Sequence, residues 1–373
     1  MKILFFSHGK RANGGAERCL LELVKALKQA RPEWELYATF PADDELSAML
    51  RPYLSGCAFI RQPWWLVRPR KNNLLKRLLF RMKAGAAIRK TTNYIRRIAP
   101  DIAVTNTLAT PIGAISSRAA GCRHWWFVHE IPEVAGNLAY LFGERHSLEM
   151  VDRLSQKVLV PSAFTRDYYS SLIKGHGKIA IINQSVNVTT APREATGRPW
   201  TIGMLGNFEP NKGQHIAVQA LRLVVASCPD THLLLIGGNG SKYAHELRAT
   251  ISACGLDGNV TIIDRTPDPH PLLRQADIGL VCSRFETFGR VIVECLKCGL
   301  PVLVPDAPFG RELVDDGRNG LLFCRDDAAD LAEKMMMLRH RDLDEMRRNA
   351  LASVEGRFTG QAFANDFISL TND

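Results

Sequence analysis

The chain has 373 residues, 46% hydrophobic and 23% charged, with a net charge of +10 at neutral pH. Such a length predicts two domains of about 150–200 residues rather than one core, the composition excludes wholesale disorder, and no apolar run reaches the roughly 20 residues that span a bilayer. Nine cysteines without framework spacing exclude a disulfide scaffold and point to reduced thiols in the cytoplasm.

The opening MKILFFSH is too short for a signal peptide and reads as a buried first strand. From there, short β-rich runs alternate with helix-length amphipathic stretches, the pattern of parallel sheets with crossover helices. Strands are expected at 2–8, 35–40, 101–106, 124–129, 157–161 and 179–183 in the first half. In the second half they are expected at 201–205, 231–236, 260–264, 278–282, 301–305 and 321–323. The stretch TTAPREATGRPW, 189–200, is polar, carries Pro and Gly, and reads as a linker. The expected domains are therefore 1–190 and 191–373, both doubly wound α/β units, with the last helix able to pack back on the first.

Charge is unevenly placed. Residues 1–190 carry 28 Lys and Arg against 14 Asp and Glu, whereas 191–373 carry 20 against 24. Twelve of the cations fall between Arg61 and Arg97, a segment with no acidic residue. Within it Leu75, Leu78, Leu79, Met82 and Ala86 form one helical stripe flanked by Lys76, Arg77, Arg81 and Lys83, with Trp64 and Trp65 just before. That composition fits a membrane-facing segment, 61–97, on an anionic surface; a core-facing helix with a solvated cationic face is the alternative.

Open α/β sheets bind ligands beyond the carboxyl ends of their strands, and four sites fall there. Gly14-Gly15-Ala16-Glu17 precedes an amphipathic helix bearing Leu20, Leu21, Leu23, Val24 and Leu27; it suits a phosphate or sugar, or is simply a turn. No GxGxxG follows any strand. His129, ending HWWFVHE, is placed to bond a sugar hydroxyl, or is a satisfied buried histidine. Gly206-Asn207 through Lys212-Gly213 frames a lysine suited to a diphosphate leaving group. Glu286-Thr287-Phe288-Gly289 leads into a helix carrying Glu294, so two carboxylates and free amides face one place. Two features are set aside. Cys295-Leu296-Lys297-Cys298 lies within a helix without a second pair, and Asp342-Leu343-Asp344 is assigned to a polar C-terminal helix. No metal site is expected.

ETFGRVIVE followed by GLPV resembles family 4 of the retaining glycosyltransferases, whose fold is GT-B, two facing Rossmann-like domains with an interdomain cleft. GRELVDDGRNGLLF, with Glu312 and Gly320, is similar to the run that follows in that family. The resemblance implies that Glu286 contacts the transferred sugar with backbone help from Thr287, Phe288 and Gly289, and that Glu294 holds the donor ribose. It assigns Lys212 to the diphosphate. Asn207 stands where the family has an arginine, and Arg265, Arg284 and Arg290 are candidates to compensate. GGAE is similar to the family's opening, and the Val-His ending of the strand, by the same resemblance, implies that His129 rather than His8, His124 or His146 lies against the sugar.

The resemblance thus implies a metal-independent, retaining, hexosyl-type enzyme with no cofactor beyond a nucleotide-diphosphate sugar. The first domain would bind a glycan or lipid-linked acceptor and the second the donor. The setting would be bacterial surface polysaccharide or glycolipid synthesis, on the cytoplasmic protein's peripheral contact with the inner face of the membrane. Alternatives are a GT-B-like sugar-nucleotide epimerase, a phosphorylase, or an inactive sugar-nucleotide-binding protein. A nucleic-acid partner is not expected, since no recognised module accompanies the basic patch and the glutamates would have no role.

Overall fold

The computed structural model describes residues 1–9, 14–69, 74–132, 138–175, 177–188 and 199–372. Packing divides the chain into two compact units, Met1–Ser185 with Phe358–Asp373, and Val186–Arg357. Most of the expected linker, 189–198, lies outside the described residues, as do Arg70 and Lys71 of the basic segment.

Nine strands belong to the first unit: β1 Lys2–Phe6, β2 Glu35–Phe40, β3 Gly56–Phe59, β4 Leu66–Val67, β5 Ile102–Thr105, β6 Arg123–Phe127, β7 Ala139–Tyr140, β8 Lys157–Val160 and β9 Ile179–Ile181. Seven form a parallel sheet in the order β3-β2-β1-β5-β6-β8-β9, while β4 and β7 pair antiparallel. Ile3, Leu4, Phe5 and Phe6 are fully buried, as expected of a parallel strand covered by helices on both faces. The helix Gly15–Ala30 packs Leu20, Leu23, Val24 and Leu27 on one face of the sheet. The last helix, Gly360–Ser369, adds Phe363 and Phe367 to the same core. Phe367 sits 6.2 Å from the ring of Phe5 and 5.2 Å from that of Trp125.

The second unit holds β10 Thr201–Leu205, β11 His232–Gly238, β12 Val260–Asp264, β13 Ile278–Leu280, β14 Val302–Pro305 and β15 Gly320–Phe323. They form a parallel sheet in the order β12-β11-β10-β13-β14-β15, the doubly wound arrangement whose order reverses between its first and fourth strands. All twelve expected strands are present, several one or two residues shorter than expected, and β3, β4 and β7 were not anticipated. His8 and His129 consequently lie beyond their strands, in the loops, rather than within them. Asp342 likewise precedes the helix Asp344–Val354, where its carboxylate accepts the Asp344 amide.

The helix Leu74–Ile98 faces the core through residues other than those expected. Its buried face is Phe80, Ala84, Ala87, Thr91, Tyr94, Ile95 and Ile98. The leucine stripe is on the opposite side: Leu75 is 65% exposed, Leu78 57% and Met82 68%. The core-facing helix with a solvated cationic side is therefore present, but its apolar contact is not the leucine stripe. Trp65 corrects the sequence reading in the other direction. It is buried, stacked 6.1 Å from Trp126, and its indole N–H donates to the Leu108 carbonyl, so it cannot belong to a surface patch. Trp64 is 51% exposed. Among the described residues no helix is long and apolar enough to cross a membrane, and all nine cysteines are free.

Candidate functional site

In the second unit the expected residues converge where the strand order reverses, at the ends of β10 and β13. After β10 the chain turns through Gly206 and Asn207 into a short 3-10 turn, Pro210–Lys212, and then the helix Gln214–Val225. Gly213 closes that turn at φ +71°, and a β-carbon there would stand 2.4 Å from the Cys282 carbonyl oxygen. Only glycine meets both demands. The Arg284 amide donates to the Asn211 carbonyl at 2.9 Å, and the Asn211 side chain donates to the Phe285 carbonyl at 3.4 Å. These bonds tie the two loops together and bring Lys212 Nζ to 2.5 Å from Glu286 Oε1.

Burial works against the Lys212 charge, but the carboxylates of Glu286, Glu209 and Glu294 outweigh it and hold the ammonium above its ordinary range. Thr287 and Phe288 lead to Gly289, at φ +81°, which caps the helix Arg290–Lys297. Leu313 and Ile292 lie about 3 Å from where its β-carbon would be, so the position is closed to larger residues. Glu294 is buried, 5% exposed, within that helix. Asn207 is exposed, with its carbonyl accepting from Gln214. Of the three arginines that might replace the missing cation, Arg284 is paired with Asp326 at 3.2 Å.

In the first unit the polar residues cluster at the ends of β1, β5 and β6. The helix Gly15–Ala30 has Gly14 as its N-cap, and space is open at Gly15. Glu17 of its first turn folds back to 3.5 Å from His8, whose pKa burial lowers against the pull of that carboxylate. His129 is 8% exposed and both ring nitrogens are engaged. Its Nε2 lies 2.9 Å from Asn106 Oδ1, and its Nδ1 lies 3.1 Å from the Gln184 amide nitrogen. Asn106 Nδ2 donates to the Ala16 carbonyl at 2.9 Å, which turns Oδ1 toward the imidazole. Asn106 therefore fixes Nε2 as the protonated, donating nitrogen. This is the satisfied, buried histidine that the sequence left as an alternative.

Three residues that the sequence reading passed over complete this network. Asn106 and Gln184 orient His129. Glu130, immediately after it, accepts from the Thr107 hydroxyl at 3.1 Å, the Leu108 amide at 3.2 Å and the His129 amide at 3.4 Å. Burial pushes the Glu130 carboxyl up, and those three donors oppose it. The signal available in the sequence was a polar residue at the carboxyl end of a strand, which Asn106 and Glu130 share with His129. Among the described residues no group of three or more His, Cys, Asp or Glu is placed to hold a metal ion.

Comparison with known proteins adds a lineage. Residues 13–190 match the profile described as Glycosyltransferase Family 4, and residues 199–340 match Glycosyl transferases group 1. A D-inositol 3-phosphate glycosyltransferase of Streptosporangium roseum is 26% identical over 223 residues, covering 54% of this chain and 50% of that protein. Phosphatidyl-myo-inositol mannosyltransferase of Mycobacterium leprae is 29% identical over 147 residues, 38% of each. The matches to such curated relatives span half of their length or less. Among solved structures, HepE of Anabaena in complex with UDP superposes with a TM-score of 0.82 at 22% identity, over 100% of both chains. The same protein has also been solved with UDP-glucose.

Proposed function

The chain belongs to glycosyltransferase family 4 and has the GT-B fold, and from that premise we propose that it transfers a sugar from a nucleotide-diphosphate donor with retention of anomeric configuration. The observation that carries this reading is the convergence of Lys212, Glu286, Gly289 and Glu294 at the reversal point of the second sheet. A diphosphate needs a cation and helix amides, a hexose needs a carboxylate acceptor for its hydroxyls, and a ribose needs another. The helix N-terminus at Gly289 supplies amides to the phosphates without a metal ion. HepE, similar in fold, is a protein solved with UDP and UDP-glucose, which supports a nucleotide sugar as the ligand.

The acceptor is a glycan or a lipid-linked sugar, in surface polysaccharide or glycolipid synthesis. The exposed Leu75, Leu78 and Met82, beside Arg81 and Lys83, support attachment to an anionic membrane face as a peripheral protein. Each cation near such a surface adds about 1 kcal/mol.

A thermal-shift screen of nucleotide-diphosphate sugars tests the donor, since a ligand at 100 times its Kd stabilises by about 2.7 kcal/mol. NMR of the product made in EDTA then reads configuration and metal dependence together. No shift with any nucleotide sugar would overturn the reading. An inverted product would overturn retention, and activity lost in EDTA and restored by Mg²⁺ or Mn²⁺ would overturn metal independence.

A further inference from the structure

Lys297 closes the helix Arg290–Lys297 and is only 6% exposed. Lysine is almost never so buried unless its charge is satisfied, and a methionine would fill similar space without the cost of taking an ammonium out of water. Its Nζ donates to the Val186 carbonyl at 2.7 Å. That carbonyl also accepts the Val188 amide at 3.0 Å, so the ammonium grips a turn of backbone.

Val186 opens the second unit, and Ser185 precedes it in the first. The residues on each side of this crossing are bonded within their own unit. Ser185 Oγ donates to Glu22 at 3.1 Å, and the Gln184 amide nitrogen lies 3.1 Å from His129 Nδ1. Gln184, Ser185 and Val186 are all buried. Two residues of chain span at most about 7 Å, so little slack separates the carbonyl that Lys297 holds from the amide that orients His129. Along the helix, Lys297 stands three residues after Glu294, on the same face and about 4.5 Å further along the axis. The helix that carries Gly289 and Glu294 toward a donor thus holds the crossing segment with its last residue.

We propose that Lys297 is a positioning residue that couples nucleotide binding to His129. A nucleotide seated on Gly289 and Glu294 shifts their helix, Lys297 carries the shift to the Val186 carbonyl, and the segment 184–186 passes it to the Gln184 amide and the imidazole. A neutral side chain at 297 packs in the same place but cannot hold the carbonyl, which gives the buried charge its purpose. The inference deepens the proposed function and rests on its donor site.

The test uses the full chain labelled with ¹⁵N-histidine, with UDP and GDP titrated separately. Both lack the sugar that would touch His129 directly. The His129 signals are identified by their loss in His129→Gln. Binding of either nucleotide should move them in the wild type and leave them in place in Lys297→Met. Calorimetry gives an independent measure. Gln184→Met should change the Kd of the nucleotide that binds by at least about fivefold, the lower end of usual coupling between sites, and should leave it unchanged in the Lys297→Met background. His129 signals that move equally in Lys297→Met, an unchanged Kd in Gln184→Met alone, or an equal effect of Gln184→Met in both backgrounds would each overturn the coupling. Nucleotide binding that leaves the wild-type His129 unmoved would overturn the coupling while the donor site stands. Absence of binding by both nucleotides would remove the donor site itself, and the coupling with it.

Discussion

Lys212 Nζ and Glu286 Oε1 are 2.5 Å apart, so the cation that suits a diphosphate and the carboxylate that suits a sugar neutralise one another in the unliganded protein. Under the proposed function, a bound donor exchanges this pair for two new partners, the diphosphate for Lys212 and a hydroxyl for Glu286. Glu286→Gln frees the lysine in advance. Its expected effect is tighter binding of the nucleoside diphosphate product, roughly fivefold for about 1 kcal/mol of released pairing, together with a lower kcat. Lys212→Ala leaves Glu286 unpaired beside the phosphates and should weaken the same ligand more than tenfold. Calorimetry with the nucleoside diphosphate checks both, and a weaker product complex in Glu286→Gln would contradict the exchange.

Glu294 gives a different signature. It is buried in the helix that Gly289 caps, and ribose hydroxyls bind alike in ground and transition states. Its loss should therefore raise the donor KM far more than it lowers kcat. An unchanged donor affinity in Glu294→Ala would remove the ribose from this residue.

The C-terminal helix is a structural part of the first unit. Phe367 is fully buried against Phe5 and Trp125, and Phe367→Ala should cost about 3–5 kcal/mol of that unit's stability. Denaturant titration measures it. A loss below 1 kcal/mol would mean that the helix is dispensable there.

His124 makes the fold acid-sensitive. Burial pushes its pKa down to about 3, and its Nε2 is 2.7 Å from the Thr105 hydroxyl. Unfolded, it takes up a proton near pH 6.5. Between those values the unfolded chain binds one proton more than the folded one, so stability falls as pH falls. From pH 7 to pH 5 the wild type should lose about 2 kcal/mol more than His124→Gln. Equal losses in the two proteins would show that His124 is not the sensor.

The fold was largely legible because both sheets are buried parallel sheets, whose strands read as apolar runs separated by helix-length stretches. β3, the short GCAF, lacks such a run and escaped notice. Trp64 and Trp65 show a sharper limit. They stand at a bend just before β4, one exposed and its neighbour in the core, and composition cannot separate them. The site's residues were visible as motifs, but their partners were not. Glu286 is 74 positions from Lys212 and Gln184 is 55 from His129; only the sheet order brings them together.

His129 bears on how retention would arise. Two successive displacements need a carboxylate nucleophile on the sugar's far face, whereas same-face attack needs only a leaving phosphate that accepts the acceptor's proton. Glu130, the carboxylate next to His129 in the chain, has its oxygens committed to the Thr107 hydroxyl and two backbone amides. His129 has its Nε2–H held by Asn106 and its Nδ1 against Gln184, which makes it an orienting group. Same-face attack through an oxocarbenium-like state is therefore the expected course. His129→Ala should lower kcat by about 10²–10⁴, the range for a positioned polar group, and still give a retained product. Glu130→Gln should keep activity within about tenfold, since the amide oxygen still accepts the hydrogen bonds. If Glu130→Gln were instead inactive, and azide restored turnover with an inverted glycosyl azide, Glu130 would be the nucleophile. A sugar trapped covalently on any carboxylate would likewise overturn the same-face course.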